Sequence, residues 1–211
     1  MSIRPGKIVC VGRNYAEHAK ELGNEVPENP VLFIKPASSL ATLDEGIYWN
    51  KALGECHHEC ELSIRIGKTL KNASPAEAKA AIDGVTLGLD LTLRDVQNKL
   101  KNKGQPWERA KAYDGACLLG EWLSPDMVAD LNHATFKLSV NGQLKQSGNT
   151  ADMLFDVIAL LVDISQSFTL EVGDVVMTGT PAGVGPLVAG DQLAMTLDTV
   201  LGEVHWNTVV L

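Results

Sequence analysis

Two glutamates, Glu59 and Glu61, stand two residues apart in the stretch Gly54-Glu-Cys-His-His-Glu-Cys-Glu-Leu-Ser-Ile64. On a strand such residues share one face. Carboxylates held side by side repel each other unless a cation or a shared proton lies between them. Hard oxygen ligands of this kind suit Mg2+ or Mn2+. A third carboxylate, Asp90, sits inside the apolar run Val85-Thr-Leu-Gly-Leu-Asp-Leu91, where a lone charge is costly to bury. These three acids are the candidate metal ligands. The competing reading of Glu59 and Glu61 is an ordinary solvent-facing edge strand. A zinc site is a further alternative, because Cys56, His58 and Cys60 would share the opposite face of the same strand. Structural zinc takes two separated ligand pairs, however, and the sequence offers no second pair.

The elements that must carry these residues can be read in outline. Residues 7–11 and 31–34 read as short strands, and 59–66 alternates as a half-buried strand should. A brief helix over 14–22 is stopped by Gly23-Asn24. Ser74-Pro-Ala-Glu77 is a capping box with proline at the first helical position, which predicts a helix running to Ile82. Residues 85–93 are β-rich, and a helix over 96–103 follows. Residues 136–140 alternate, and Asn141-Gly142 is a hairpin turn. Apolar residues at Met153, Leu154, Val157, Ile158, Leu161 and Ile164 predict a helix over 150–166. Strands over 174–178, 193–197 and 204–210 close the chain. The pattern is one mixed α+β domain over residues 1–211, rich in β-structure.

Composition narrows the function class. A chain of 211 residues, 45% hydrophobic and 21% charged, is expected to fold around one sizeable core. Its net charge of −8 argues against a nucleic-acid partner, which needs a basic face. No apolar run approaches about 18 residues, so no membrane segment is expected, and without a signal-peptide pattern the expected location is cytoplasmic. The four cysteines form no CxxC pair and read as packed, reduced thiols. An acidic chain that binds an anion must offset repulsion with local cations or a metal.

In chain order, Gly12-Arg-Asn-Tyr-Ala-Glu-His18, Leu32-Phe-Ile-Lys-Pro36, His57-His-Glu-Cys-Glu-Leu62, Leu89-Asp-Leu-Thr-Leu-Arg-Asp-Val-Gln97, Lys111 with its flanks, Asn141-Gly and Thr178-Gly-Thr-Pro-Ala-Gly-Val-Gly185 resemble the motifs of the fumarylacetoacetate hydrolase family, specifically its short acylpyruvase-like branch. The resemblance spans almost the whole chain. It implies an α+β fold built as a β-rich mixed β-roll with small peripheral helices, and a homodimer. It implies Glu59, Glu61 and Asp90 as ligands of Mg2+, with Mn2+ or Ca2+ as other ions. His18 and Glu21 match the family's catalytic pair and Lys111 its active-site lysine. Arg13, Lys35, Gln97 and Thr180 match positions that line the substrate pocket. Cys60 departs from the aliphatic residue common there, but it is expected to point away from the metal.

Such a site would take a small 2-oxo acid, whose carboxylate and keto oxygen form a bidentate pair for a metal that stabilises an enolate. Cleavage of a C–C bond in an acylpyruvate such as fumarylpyruvate is the first expectation. Hydrolysis needs activated water, and His18, one helical turn from Glu21, suits a general base near neutrality. An ordinary surface His–Glu pair is the other reading of that spacing. Lys111 could place charge on a developing oxyanion. The glycine-rich run 178–185 lacks the ending of a nucleotide phosphate loop, and could instead turn N–H groups and the Thr180 hydroxyl towards a carboxylate. Oxaloacetate decarboxylation or tautomerisation, or isomerisation of 2-hydroxyhepta-2,4-diene-1,7-dioate, is the alternative chemistry. An inactive metal-binding scaffold is the alternative of another class, opposed by the presence of Glu59, Glu61, Asp90, His18 and Lys111 together.

Overall fold

The computed structural model of the protein describes residues 4–21, 23 and 25–211. Its elements in chain order are β1 (Lys7–Gly12), α1 (Ala16–Glu21), β2 (Val31–Pro36), β3 (Leu40–Thr42), β4 (Cys56–His58), β5 (Cys60–Ile66), α2 (Pro75–Ala80) and β6 (Ile82–Asp90). There follow β7 (Thr92–Leu93), α3 (Arg94–Asn102), α4 (Glu108–Lys111), β8 (Cys117–Leu119), β9 (Thr135–Val140), β10 (Gln143–Asn149), α5 (Val157–Ser167), β11 (Val175–Met177), β12 (Gly185–Pro186), β13 (Gln192–Thr199) and β14 (Gly202–Val209). The fold is a sheet-rich α+β arrangement with few and short helices, as expected from the family likeness. No helix among the described residues is long and apolar enough to cross a membrane.

A seven-stranded mixed sheet in the order β2-β1-β11-β5-β6-β8-β3 forms the centre, beside a four-stranded sheet β10-β9-β13-β14 and a small sheet β12-β4-β7. The β5–β6 hairpin is the spine of the core. Leu62, Ile64 and Ile66 on one strand and Val85, Leu87 and Leu89 on the other are all fully buried. Strands covered on both faces carry near-continuous apolar runs, and this makes Glu61 and Asp90 stand out within them.

Several boundaries differ from the sequence expectation, each for a local reason. The helix expected over 150–166 begins only at Val157, because the Asp156 side chain accepts the Ala159 N–H and caps it there. Residues 150–152 form a separate turn of 3-10 helix. The helix expected to reach Ile82 stops at Ala80, and Ile82 already pairs with Ile66. Its Ser74 capping box forms as expected. The Asn141-Gly142 turn has both residues at positive φ, 51° and 75°, as a two-residue hairpin requires. The expected stop of the first helix involves Leu22 and Asn24, which lie outside the described residues.

Candidate active site

Strand register assembles the acidic cluster. Cys60 lies opposite Leu89 and Glu61 opposite Gly88, while the Asp90 N–H donates to the Glu59 carbonyl at 2.8 Å. Residues directly opposite or two apart on an antiparallel pair share a face. Glu59, in the one-residue break between β4 and β5, therefore joins Glu61 and Asp90 on one side. Carboxylate oxygens of all three lie within 4.8 Å of one another, and all three residues are buried. Gly88 is required beside them: a Cβ there would come within 2.8 Å of Leu119 and 2.9 Å of Ser63.

Three cations answer these three acids. Lys111, delivered by α4, donates from Nζ to Glu59 Oε2 at 2.6 Å and to Asp90 Oδ2 at 2.7 Å. Arg94, at the start of α3, donates to Glu59 Oε1 and, at 2.6 Å, to Gln97 Oε1. Lys35 Nζ stands 2.7 Å from Asp90 Oδ1 and also donates to the Lys111 carbonyl. The Lys35 contact is one of charge only, for Asp90 Oδ1 accepts no hydrogen bond. Burial would raise the Glu59 carboxyl, yet Lys111 and Arg94, helped by His18, hold it well below the usual carboxylate range. Burial would likewise lower the Lys111 ammonium, but Asp90 and Glu59 raise it instead. Glu61 is the exception. Burial, then Asp90 and Glu59, push it well up against the opposing pull of Lys111 and the Gly179 N–H.

The donor set fits a hard divalent cation. It consists of three converging carboxylates, one oxygen of which has no hydrogen bond, and an acid, Glu61, whose charge is poorly compensated by protein groups. Glu59, Glu61 and Asp90 are thus the residues that could hold a metal. The zinc alternative finds no support: Cys56 and Cys60 are buried, and His58 faces Gln146 Oε1 at 3.1 Å.

The loop after β11 closes one side. The Gly179 N–H donates to Glu61 Oε2 at 2.8 Å. Gly179 has φ +100°, and a Cβ would approach Asn14 Cβ to 2.7 Å, so only glycine fits. The Thr180 hydroxyl, expected to face a substrate, donates to the Cys60 carbonyl at 2.8 Å while accepting from Gln146 Nε2 at 2.8 Å. Thr180 lines the cavity, but its hydrogen is committed to the fold. Gln146 also donates to the Pro181 carbonyl at 2.9 Å and accepts the Cys60 N–H at 3.0 Å. It is 1% exposed. Because Gln146→Leu strands several of these groups in the interior, it is expected to cost about 2–3 kcal/mol of stability, measurable by urea denaturation.

The segment after β1 supplies the remaining groups. Asn14 pins it, donating to the Phe155 and Thr178 carbonyls at 3.0 and 2.8 Å and accepting the Phe155 N–H at 2.9 Å. Just before it, Arg13 has φ +60°, a conformation costing an L-residue about 1–2 kcal/mol. Helix α1 buries His18, 5% exposed, with Nδ1 3.2 Å from Glu21 Oε2. Glu21 Oε1 is fixed in turn by the Gly183 N–H at 3.0 Å. The expected pairing is present: His18 lines the cavity, while Glu21 is exposed at the rim of the vestibule outside it.

One cavity of about 30 Å³ is bordered by His18, Arg13, Gln97, Thr180, Lys111 and the three acids. That is room for an ion and a water or so. It opens past Arg13, Arg94, Lys101 and Trp107 into a vestibule of about 910 Å³. Of the site residues expected from the sequence, Glu21 borders only the vestibule, and Lys35 borders neither space, being fully buried behind Asp90. Arg94, Lys101, Trp107 and Phe33 also border the cavity and were not singled out. Arg94 lies within a motif already noted, four residues after Asp90 and three before Gln97, a spacing that sets it on the same helix face as Gln97. Nothing in the sequence marks Gln146.

Comparison with known proteins gives this geometry a setting. The family model for the C-terminal region of fumarylacetoacetate (FAA) hydrolase matches residues 7–210. The oxaloacetate tautomerase YcgM of Escherichia coli (strain K12) is 50% identical over 193 residues, covering 91% of this chain and 88% of that one. A mitochondrial oxaloacetate decarboxylase of Dictyostelium discoideum is 47% identical over 188 residues, covering 89% and 86%. Fumarylpyruvate hydrolase from Pseudomonas aeruginosa, crystallised with Mn2+ and pyruvate, superposes with a TM-score of 0.88 at 33% identity, covering 97% and 90%. The two relatives of higher identity are thus named for oxaloacetate chemistry, and the less similar structure for fumarylpyruvate hydrolysis. A match across nearly the entire chain, on a fold and site of this construction, places the protein among the enzymes of the fumarylacetoacetate hydrolase family.

Proposed function

We propose that the chain is a Mg2+-dependent tautomerase that interconverts the enol and keto forms of oxaloacetate. One observation carries the reading: the buried His18 imidazole, held at Nδ1 by Glu21 at the vestibule, faces the same small cavity as Glu59, Glu61, Asp90 and Lys111. A tautomerase must move one proton between carbon and oxygen, and needs no second reactant. A divalent cation held by the three acids would draw electrons from the keto oxygen and acidify the neighbouring C–H.

The chain's own residues do the rest. Glu21 holds His18 Nδ1, which leaves Nε2 as the ring atom that takes the proton from C3 of the keto form. The Glu21 carboxylate stabilises the imidazolium that results. Lys111 Nζ supplies positive charge beside the oxygen on which negative charge grows. The His18 imidazolium then gives its Nε2 proton to that oxygen, directly or through a water, which completes the enol and returns the neutral imidazole; the reverse sequence regenerates the ketone. Decarboxylation of the same substrate, favoured by the Dictyostelium relative, uses the same charge stabilisation but breaks the C3–C4 bond and takes no proton from C3.

The test follows enol absorbance after addition of oxaloacetate to the Mg2+-treated protein, with pyruvate release and acylpyruvate loss measured in parallel. Enol–keto exchange is expected to outrun both by at least about tenfold and to stop in EDTA. Faster cleavage of acetylpyruvate or fumarylpyruvate would overturn the reading in favour of hydrolysis. Pyruvate release matching enol loss would favour decarboxylation.

A further inference from the structure

The neck between cavity and vestibule is lined by Arg13, Arg94, Lys101 and Trp107. Arg94 is committed to Glu59 and Gln97. The other two cations are not so served. Arg13 Nε is buried without a hydrogen-bond partner. Of the charges that weigh most on Lys101, three are cations, Arg94, Arg13 and Lys111, and one is a carboxylate, Glu59. Burial, followed by those three cations, lowers its ammonium to about 8. The nearby acid Glu21 is held by His18 and the Gly183 N–H, and His57 is held by Glu55 at 3.1 Å. The Lys101 ammonium rests 5.2 Å from the Trp107 ring centre, an arrangement that orients the side chain without neutralising it.

Like charges gathered in a half-buried neck repel one another, and the repulsion is relieved when an anion joins them. Helix α3 arranges the approach in order. Arg94, Gln97 and Lys101 recur at i, i+3 and i+7, so they share one face. Lys101 lies one turn beyond Gln97, roughly 6 Å further along the axis and nearer the vestibule. An acid whose first carboxylate and keto oxygen lie over Glu59, Glu61 and Asp90 would direct its far end to this place.

Resting on the tautomerase reading, we propose that Lys101 and Arg13 form the subsite for the second carboxylate of a dianionic 2-oxo acid, with Lys101 as the residue that distinguishes diacids from 2-oxo acids with neutral tails. Lys101 is then a specificity residue that acts on binding, not on the proton transfer.

Oxaloacetate and its 4-methyl ester differ at C4 by one charge, and both tautomerise. The Mg2+-treated protein is expected to prefer the diacid in kcat/KM by about tenfold or more, the worth of one charge-assisted hydrogen bond. Lys101→Met should bring that ratio close to one by raising KM for the diacid, with KM for the ester nearly unchanged. Lys101→Arg should restore the preference. Lys101→Gln, which keeps a polar side chain at this half-exposed position, is the second variant if Met disturbs folding. Equal use of both compounds by the unaltered protein would overturn the proposal. So would a Lys101→Met variant that changes both substrates alike, or neither. If neither compound tautomerises, the functional reading falls on its own, and calorimetric titration with the same two compounds still tests the subsite through the ratio of their Kd values.

Discussion

Glu61→Gln is expected to abolish turnover while making the metal-free protein more stable. Glu61 is 1% exposed, its one hydrogen bond from protein is the Gly179 N–H, and Asp90 and Glu59 surround it with negative charge. Its carboxyl titrates well above the ordinary range because of burial first and those two acids second. A group raised on folding contributes stability below its unfolded value, near 4.3, and that contribution is lost as pH rises towards the folded value. The unaltered protein in EDTA therefore loses stability with rising pH at this residue, and glutamine removes the loss while still accepting the Gly179 N–H. At pH 8 the variant should melt higher than the unaltered protein in EDTA, each kcal/mol raising Tm by roughly 2–4 °C in a chain of this size. The rise in Tm caused by Mg2+ should vanish, and oxaloacetate exchange should fall by at least about a thousandfold, given the several kcal/mol a metal supplies. A variant that melts lower in EDTA at pH 8, or that keeps its metal-dependent activity, contradicts the assignment of Glu61.

His18→Gln should separate proton transfer from metal binding. The imidazole lines the cavity but touches none of the three acids through a hydrogen bond, its Nδ1 being engaged with Glu21. Loss of a positioned general base costs about 10²–10⁴ in rate, so kcat for enol–keto exchange should drop within that range. The Kd for Mn2+, read by electron paramagnetic resonance, should change little, since Glu59, Glu61 and Asp90 are intact. Equal loss of metal affinity and rate would show that His18 supports the acidic cluster rather than the reaction.

The acidic cluster could be anticipated because its signals are local. A Glu-x-Glu spacing has the period of a strand, and Asp90 is a charge within an apolar run. Neither signal reveals that 59 and 90 become neighbours. That follows from the β5–β6 register, which pairs Cys60 with Leu89 across an excursion through α2. His18 and Glu21 were legible as one turn of helix, though the burial of His18 depends on Asn14 tying the segment to residues 155 and 178. The cations were harder to place. Lys101 looks like its exposed neighbours Lys99 and Lys103 until the cavity is seen, and Arg94 like a charge at the start of a helix. Lys35 appeared as a pocket residue but is used behind Asp90, where it offsets buried negative charge. Gln146 is unremarkable in a hairpin strand of mostly exposed residues, and its four partners come from β4, β5 and the 178–185 loop. Contacts of this kind join segments distant in the chain, and no spacing rule foretells them.

Crystals soaked in MnCl2 and measured at the manganese absorption edge would locate the ion by its anomalous signal. A single strong peak is expected within about 2.0–2.5 Å of one carboxylate oxygen each of Glu59, Glu61 and Asp90. A peak elsewhere, or none at these side chains in a preparation that tautomerises oxaloacetate, would contradict a metal held by those three acids.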